Sequence, residues 1–172
     1  ISFIAGGKLI VLIEHQSTIN NNMPLRALLY IAALYENMTV VQSSSIYSEV
    51  LTKIPAPEFI VLYNGTDEYP DTKTLRLTEA FLRESSSLEL EVTVYNVNVG
   101  HNEDVLKRCA ALGGYAVLID RIRSNMSAGR MDREQAIREA IIFCINNDLN
   151  AGFLKNHSRE VYGMLSFEYD QE

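Results

Sequence analysis

Glu14 and Gln16 stand two apart at the end of an apolar run, Leu9 to Ile13, and that spacing puts their chemistry on one face of a strand. Side chains alternate along a strand, so Leu12, Glu14 and Gln16 point one way and Ile13 and His15 the other. A carboxylate at a strand end is a ligand for a hard divalent cation. Mg²⁺ takes oxygen ligands and keeps several waters, so one or two carboxylates and a backbone carbonyl suffice. The carbonyl of His15 is a candidate for that role, and Gln16 for orienting an attacking water or a phosphate oxygen. Arg26 and Tyr30 are four apart, hence on one face of a helix. The guanidinium suits a phosphate, and the phenol donates a hydrogen bond nearby. By spacing alone, the same residues also describe a buried strand running out into water and a solvated helix face.

Other chemistries find little support. Ser17 follows directly, but no orienting partner marks it as an activated nucleophile. Gly6-Gly7 lacks the pattern of a phosphate-binding loop. His15, His101 and His157 are far apart, without the spacing of a zinc site.

These residues need a strand and a helix to position them. Ile1 to Ala5 reads as a strand, Gly6-Gly7 as a hairpin turn, and Lys8 to Glu14 as a second strand covered on both faces. Ser17 to Asn22 is a polar loop ending in a plausible N-cap, Asn22. Pro24 suits the first turn of a helix, and Leu25, Leu28, Leu29, Ala32 and Tyr35 carry it to about Asn37. "SSS" at Ser43 to Ser45 reads as loop. Glu58 to Tyr63 is a buried strand ended by Asn64-Gly65, and a long polar loop follows. Leu88, Leu90, Val92 and Val94 alternate as in a half-solvated edge strand. A shift of phase to Val97 and Val99 suggests a bulge near Tyr95-Asn96.

From Asn102 the chain reads as helical. Val105, Leu106 and Cys109 form a stripe ended by Gly113-Gly114; Leu118, Ile122 and Met126 form another ended by Gly129. Asp132 with Gln135 resembles a capping box, and Ile137, Ala140, Ile141 and Cys144 line the helix that follows. Gly152 marks a break before a last helix, Phe153 to Leu165. This divides the chain into a core, residues 1–100, and a helical extension, residues 101–172.

The 172 residues suffice for a domain with a real core. No apolar run is long enough to span a bilayer. No secretory leader pattern opens the chain, so a cytoplasmic protein without membrane partners is expected. The chain begins at Ile1 inside an apolar stretch, which reads as part of a longer product. Cys109 and Cys144 both fall on apolar stripes, as buried free thiols or a single disulfide. A net charge of −7 argues against a chain that coats nucleic acid, yet leaves room for a local basic site.

The run "LIVLIEHQSTINNNMPLRALLYIAALYE" resembles the recombination-promoting nuclease family, whose members are also labelled transposases, within the PD-(D/E)xK nuclease superfamily. "IPAPEFIVLYNG" resembles that family's next core strand, and "LELEVTVYNVN" and "REAIIFCINNDLNAGFLKNHSREV" resemble the rest, so the resemblance covers most of the chain. It implies an α/β, restriction-endonuclease-like core, a small mixed sheet flanked by helices, with a helical C-terminal extension. It implies a DNA endonuclease that hydrolyses phosphodiester bonds with Mg²⁺ or Mn²⁺, linked to recombination or mobile DNA. Glu14 matches the motif's Glu, and Gln16 stands where a Lys is usual, a variant known within the family. Arg26 and Tyr30 resemble a Gln-x-x-x-Tyr helix element, with Arg in place of Gln. The family's metal-binding Asp is expected immediately before the residues matching "ISF", upstream of Ile1. Two other readings stand beside the enzyme: a non-catalytic nuclease fold that binds DNA or a protein partner, and a helical tail that makes a homodimer.

Overall fold

The structure, a computed structural model, describes residues 2–7, 9–41, 47, 49–127, 129 and 131–168. The expected loop at Ser43 to Ser45 lies outside the described residues. The chain divides into two units, Ile1–Asn96 and Val97–Glu172.

The first unit is α/β, a five-stranded mixed sheet with a long helix on one face. Strand β1 (Ser2–Ala5) turns into β2 (Leu9–Gln16) as an antiparallel hairpin. Gly6 and Gly7 both have positive φ, 56° and 69°, a conformation that side chains with a Cβ resist. Helix α1 (Met23–Val41) then carries the chain back, so that β3 (Ala56–Tyr63) runs parallel to β2. Pro24 is buried in the first turn of α1, where its missing N–H costs nothing. The Asn22 carbonyl accepts from Arg26 N–H at 3.1 Å, as an N-cap carbonyl should.

Strand order is β1-β2-β3-β5-β4, with β4 at Thr72–Arg76 and β5 at Glu91–Asn96. Three expectations fail here. The polar stretch after Gly65 contains β4, whose one buried residue is Leu75. Because β4 pairs antiparallel with β5 and β3 pairs parallel with it, β5 is an interior strand rather than an edge. Nor is there a bulge: the β4–β5 register is unbroken from Arg76↔Glu91 to Thr72↔Tyr95. The apparent shift of phase is the strand ending at Asn96.

The core of this unit lies between α1 and the sheet face that carries Ile10, Phe59, Val61, Tyr63, Val92 and Val94. Met23, Ala27 and Ile31 come from the helix. Ile10 and Val11 point to opposite faces and are both buried, as a strand covered on two sides requires.

The second unit is helical: α2 (Glu103–Arg108), α3 (Ala110–Ser127), α4 (Arg133–Asn146) and α5 (Ala151–Glu168). Gly113-Gly114 does not end a helix but lies within α3. A Cβ at Gly114 would meet the Asn150 amide at 2.6 Å, and that amide donates to Ala111 O at 2.8 Å. Glycine is there for close approach, not for a break. Gly152 likewise lies inside α5, in its first turn; the irregularity of that helix falls at His157 (φ −126°, ψ 22°). The Asp132 side chain caps α4 by accepting from Gln135 N at 2.8 Å. Cys144 is fully buried and burial pushes its thiol up. Cys109 is exposed at the end of α2, and both thiols are free. The stripe that included Cys109 misplaced it because α2 stops one residue earlier.

Ile122, Ile137, Ala140 and Cys144 are wholly buried at the centre of this unit. Ile137→Ala is expected to cost about 2–5 kcal/mol, the loss of buried methylenes plus an unfilled cavity. A fall in the urea midpoint at unchanged slope would show it; an unchanged midpoint would contradict this packing.

Across α3 and α4, Arg121 donates to both carboxylate oxygens of Glu139, at 3.1 and 3.2 Å, and stacks on the Phe143 ring at 4.3 Å. The Asn125 amide adds a third bond to Glu139 at 2.7 Å. The Arg121 hydrogen bond, then that of Asn125, holds the Glu139 carboxyl below its ordinary range. A depressed folded-state pKa contributes stability above the unfolded pKa and loses it as pH falls through the folded one. Wild type is therefore expected to lose part of its melting-temperature advantage over Glu139→Gln below about pH 4. A difference that stays constant from pH 7 to pH 3 would remove this role.

Candidate active site

Strands β2, β3 and β5 are parallel, and their carboxyl ends lie together. In register, Gln16 stands beside Tyr63, and Tyr63 beside Asn96. One residue pair back, Glu14 stands beside Val61, and Val61 beside Val94. The row at the sheet's end is therefore polar, and the next row inward is apolar except for Glu14.

The polar row is held by main-chain and side-chain bonds. Asn64 N–H donates to Gln16 O at 3.0 Å, and Asn96 N–H to Asp71 O at 2.9 Å. The Asn96 amide, buried, donates to Tyr69 O at 2.9 Å. The Tyr63 hydroxyl donates to Asp67 O at 3.1 Å. Gly65 lies where the exits of β2 and β3 meet; a Cβ there would collide with the Ser17 carbonyl and the Tyr63 ring.

Sequence reasoning read Asn64-Gly65 as a turn and Asn96 as part of a bulge. Both belong to the scaffold of this end. The signal for Asn96 was present: it keeps the inward phase of Val92 and Val94.

Helix α1 brings the expected pair to the strand. Arg26 forms an ion pair with Glu14 through Nη2 and Oε1. The same Nη2 donates to the Tyr30 hydroxyl at 3.0 Å. The Tyr30 hydrogen bond foremost, partly opposed by desolvation and then aided by the Glu14 charge, pushes the Arg26 pKa above its ordinary value. Gln16 turns its amide to the Met23 sulfur at 2.7 Å, a weak acceptor. So Glu14, Gln16, Arg26 and Tyr30, named from strand and helix separately, meet on one side of the sheet. His15 points to the other face and is exposed, so only its main chain belongs to this side.

Glu14 and Tyr30 line a cavity of about 500 Å³. Its other walls are mostly apolar, with Leu12, Met23, Ala27, Leu34, Phe59 and Val92 among them. Among the described residues, Glu14 is the sole carboxylate in this lining. Among the described residues, no three His, Cys, Asp or Glu side chains group as metal ligands. Glu14 is the right kind of donor for Mg²⁺, but one carboxylate already paired with an arginine is short of a divalent-cation site. The pair is partly exposed, 38% for Arg26 and 28% for Glu14. Pairs of that kind contribute roughly 0–1 kcal/mol, so opening this one costs little.

No helix among the described residues is long and apolar enough to cross a membrane. No family model, no curated protein and no solved structure matches the chain.

Proposed function

We propose that the chain belongs to a DNA endonuclease of the PD-(D/E)xK type, working with Mg²⁺ or Mn²⁺ on phosphodiester bonds. The observation that carries the reading is the meeting of Glu14, Arg26 and Tyr30 in one hydrogen-bonded chain, beside Gln16, at the end of β2. The mixed sheet with a helix packed on it supports the reading too, since the sequence resemblance implies a small mixed sheet flanked by helices.

In this reading Glu14 is one ligand of a cation that also needs a second carboxylate, the Asp expected before Ile1, with the His15 carbonyl beside it. Such a cation supplies Lewis-acid stabilisation and an acidified water. The chain's own residues do the rest. Gln16 orients water by donating and accepting hydrogen bonds, without the positive charge of a Lys. Arg26 holds a non-bridging phosphate oxygen, and Tyr30 fixes the guanidinium.

The test is conversion of supercoiled plasmid to nicked or linear forms in Mg²⁺ or Mn²⁺ against EDTA. Where the gene encodes residues before Ile1, the product includes them. Metal-dependent conversion supports the enzyme. Binding of DNA without conversion supports the second reading, a non-catalytic nuclease fold. That reading draws on the cavity's single carboxylate among the described residues, Glu14, being paired with an arginine.

A further inference from the structure

The geometry points to Arg26 as a two-position cation: paired with Glu14 at rest, and turned to a backbone phosphate of nucleic acid once the Glu14 charge is engaged elsewhere. The inference rests on the proposed function for the identity of the anion, and on the structure for the exchange.

Arg26 has five N–H donors, and the two recorded bonds use one nitrogen, Nη2. Among the described residues, Nε and Nη1 donate to no protein acceptor. Both forked edges of a guanidinium, Nε with Nη2 and Nη1 with Nη2, include the nitrogen that Glu14 holds, so release of Glu14 is what opens a two-bond site for a phosphate. The Tyr30 hydroxyl sits on the same Nη2 as Glu14, so the group keeps an anchor when the carboxylate lets go. Helical spacing makes that anchor stiff: Arg26 and Tyr30 are one turn apart on α1.

The surroundings explain why an exchange is needed. Among the described residues the cavity lining holds Glu14 and no Lys or Arg, and the chain carries a net charge of −7. A phosphate that approaches Glu14 meets a negative charge, and the cation paired with that charge is Arg26. While the pair is closed, Glu14 and a phosphate compete for one guanidinium. Neutralising Glu14 relieves the competition and supplies the anion site in one step. Binding of a cation at Glu14 and of phosphate at Arg26 then help each other, by linkage.

A mutant cycle in EDTA tests this, read by fluorescence anisotropy of a short labelled duplex. Wild type, Glu14→Gln, Arg26→Gln and the double variant are compared, each checked for wild-type circular dichroism and melting. Glu14→Gln is expected to tighten binding roughly threefold or more, and to change it less than about twofold when Arg26 is already Gln. An equal gain in both backgrounds would mean simple repulsion by Glu14 and would overturn the exchange, as would no gain. The Arg26 Nε–Hε resonance, titrated with inorganic phosphate, separates this inference from the function beneath it. A larger shift in Glu14→Gln than in wild type, with no duplex bound by any variant, keeps the exchange and sinks the DNA reading. The same shift in both proteins overturns the exchange itself.

Discussion

Gly65→Ala is expected to destabilise the first unit by roughly 3 kcal/mol, the upper range for forced overpacking. The reason is local and steric. Gly65 stands two residues after the end of β3, and a methyl group there would overlap the Ser17 carbonyl and approach Tyr63 Cε2 to 2.6 Å. One neighbour is main chain and the other is a buried ring, so neither can swing aside as a surface side chain would. Relief requires β2 and β3 to separate at Gln16 and Tyr63, the end that presents the polar row. The substitution should therefore lower the melting temperature and disturb amide shifts from Glu14 to Ser17 together. Gly163→Ala is the control. Nothing lies within 4 Å of a Cβ there, inside α5, and a gain of about 0.5–1 kcal/mol is expected from helix propensity. A neutral Gly65→Ala would mean that the strand exits are not packed as described.

The second large effect concerns chemistry. Glu14→Ala is expected to lower metal-dependent DNA cleavage by about a thousandfold or more, while Gln16→Ala lowers it about tenfold to a hundredfold. The asymmetry follows from charge. Among the described residues Glu14 is the sole carboxylate in the lining of its cavity, so its loss removes their contribution to cation binding altogether. Gln16 is neutral and already turned toward Met23, so its loss weakens orientation without removing a charge. Gln16→Lys adds a cation beside Glu14 and should raise cleavage above that of Gln16→Ala. Cleavage unchanged in Gln16→Ala would remove the role given to this residue. Neither substitution should lower the melting temperature by more than a few degrees, because both side chains are partly exposed at a strand end.

Much of the scaffold was legible from pattern. The run from Leu9 to Ile13, Pro24 with the apolar spacing after it, and Glu58 to Tyr63 each state one element clearly. β4 was not legible: Thr72, Lys73, Thr74 and Arg76 are exposed, and one buried leucine is no periodic signal. With β4 invisible, β5 looked like an edge, since an interior position is a property of its neighbours. Gly113-Gly114 was misread because glycine for a break and glycine for a close approach look alike until Asn150, far along the chain, is seen against Gly114.

The site shows the same division. Period two put Glu14 and Gln16 on one face, and helical spacing put Arg26 and Tyr30 on another. That the two faces touch depends on how α1 returns across the sheet, which neither period contains. Tyr63, Gly65 and Asn96 hold the end of the sheet but carry no residue type that marks a site.

The measurement that bears most directly on the central claim is cleavage of supercoiled plasmid in Mg²⁺ by the product and by Glu14→Ala, side by side, with EDTA as the blank. The account predicts nicked or linear DNA from the former alone, lost in EDTA. Equal conversion by both proteins, or conversion that persists in EDTA, would contradict it.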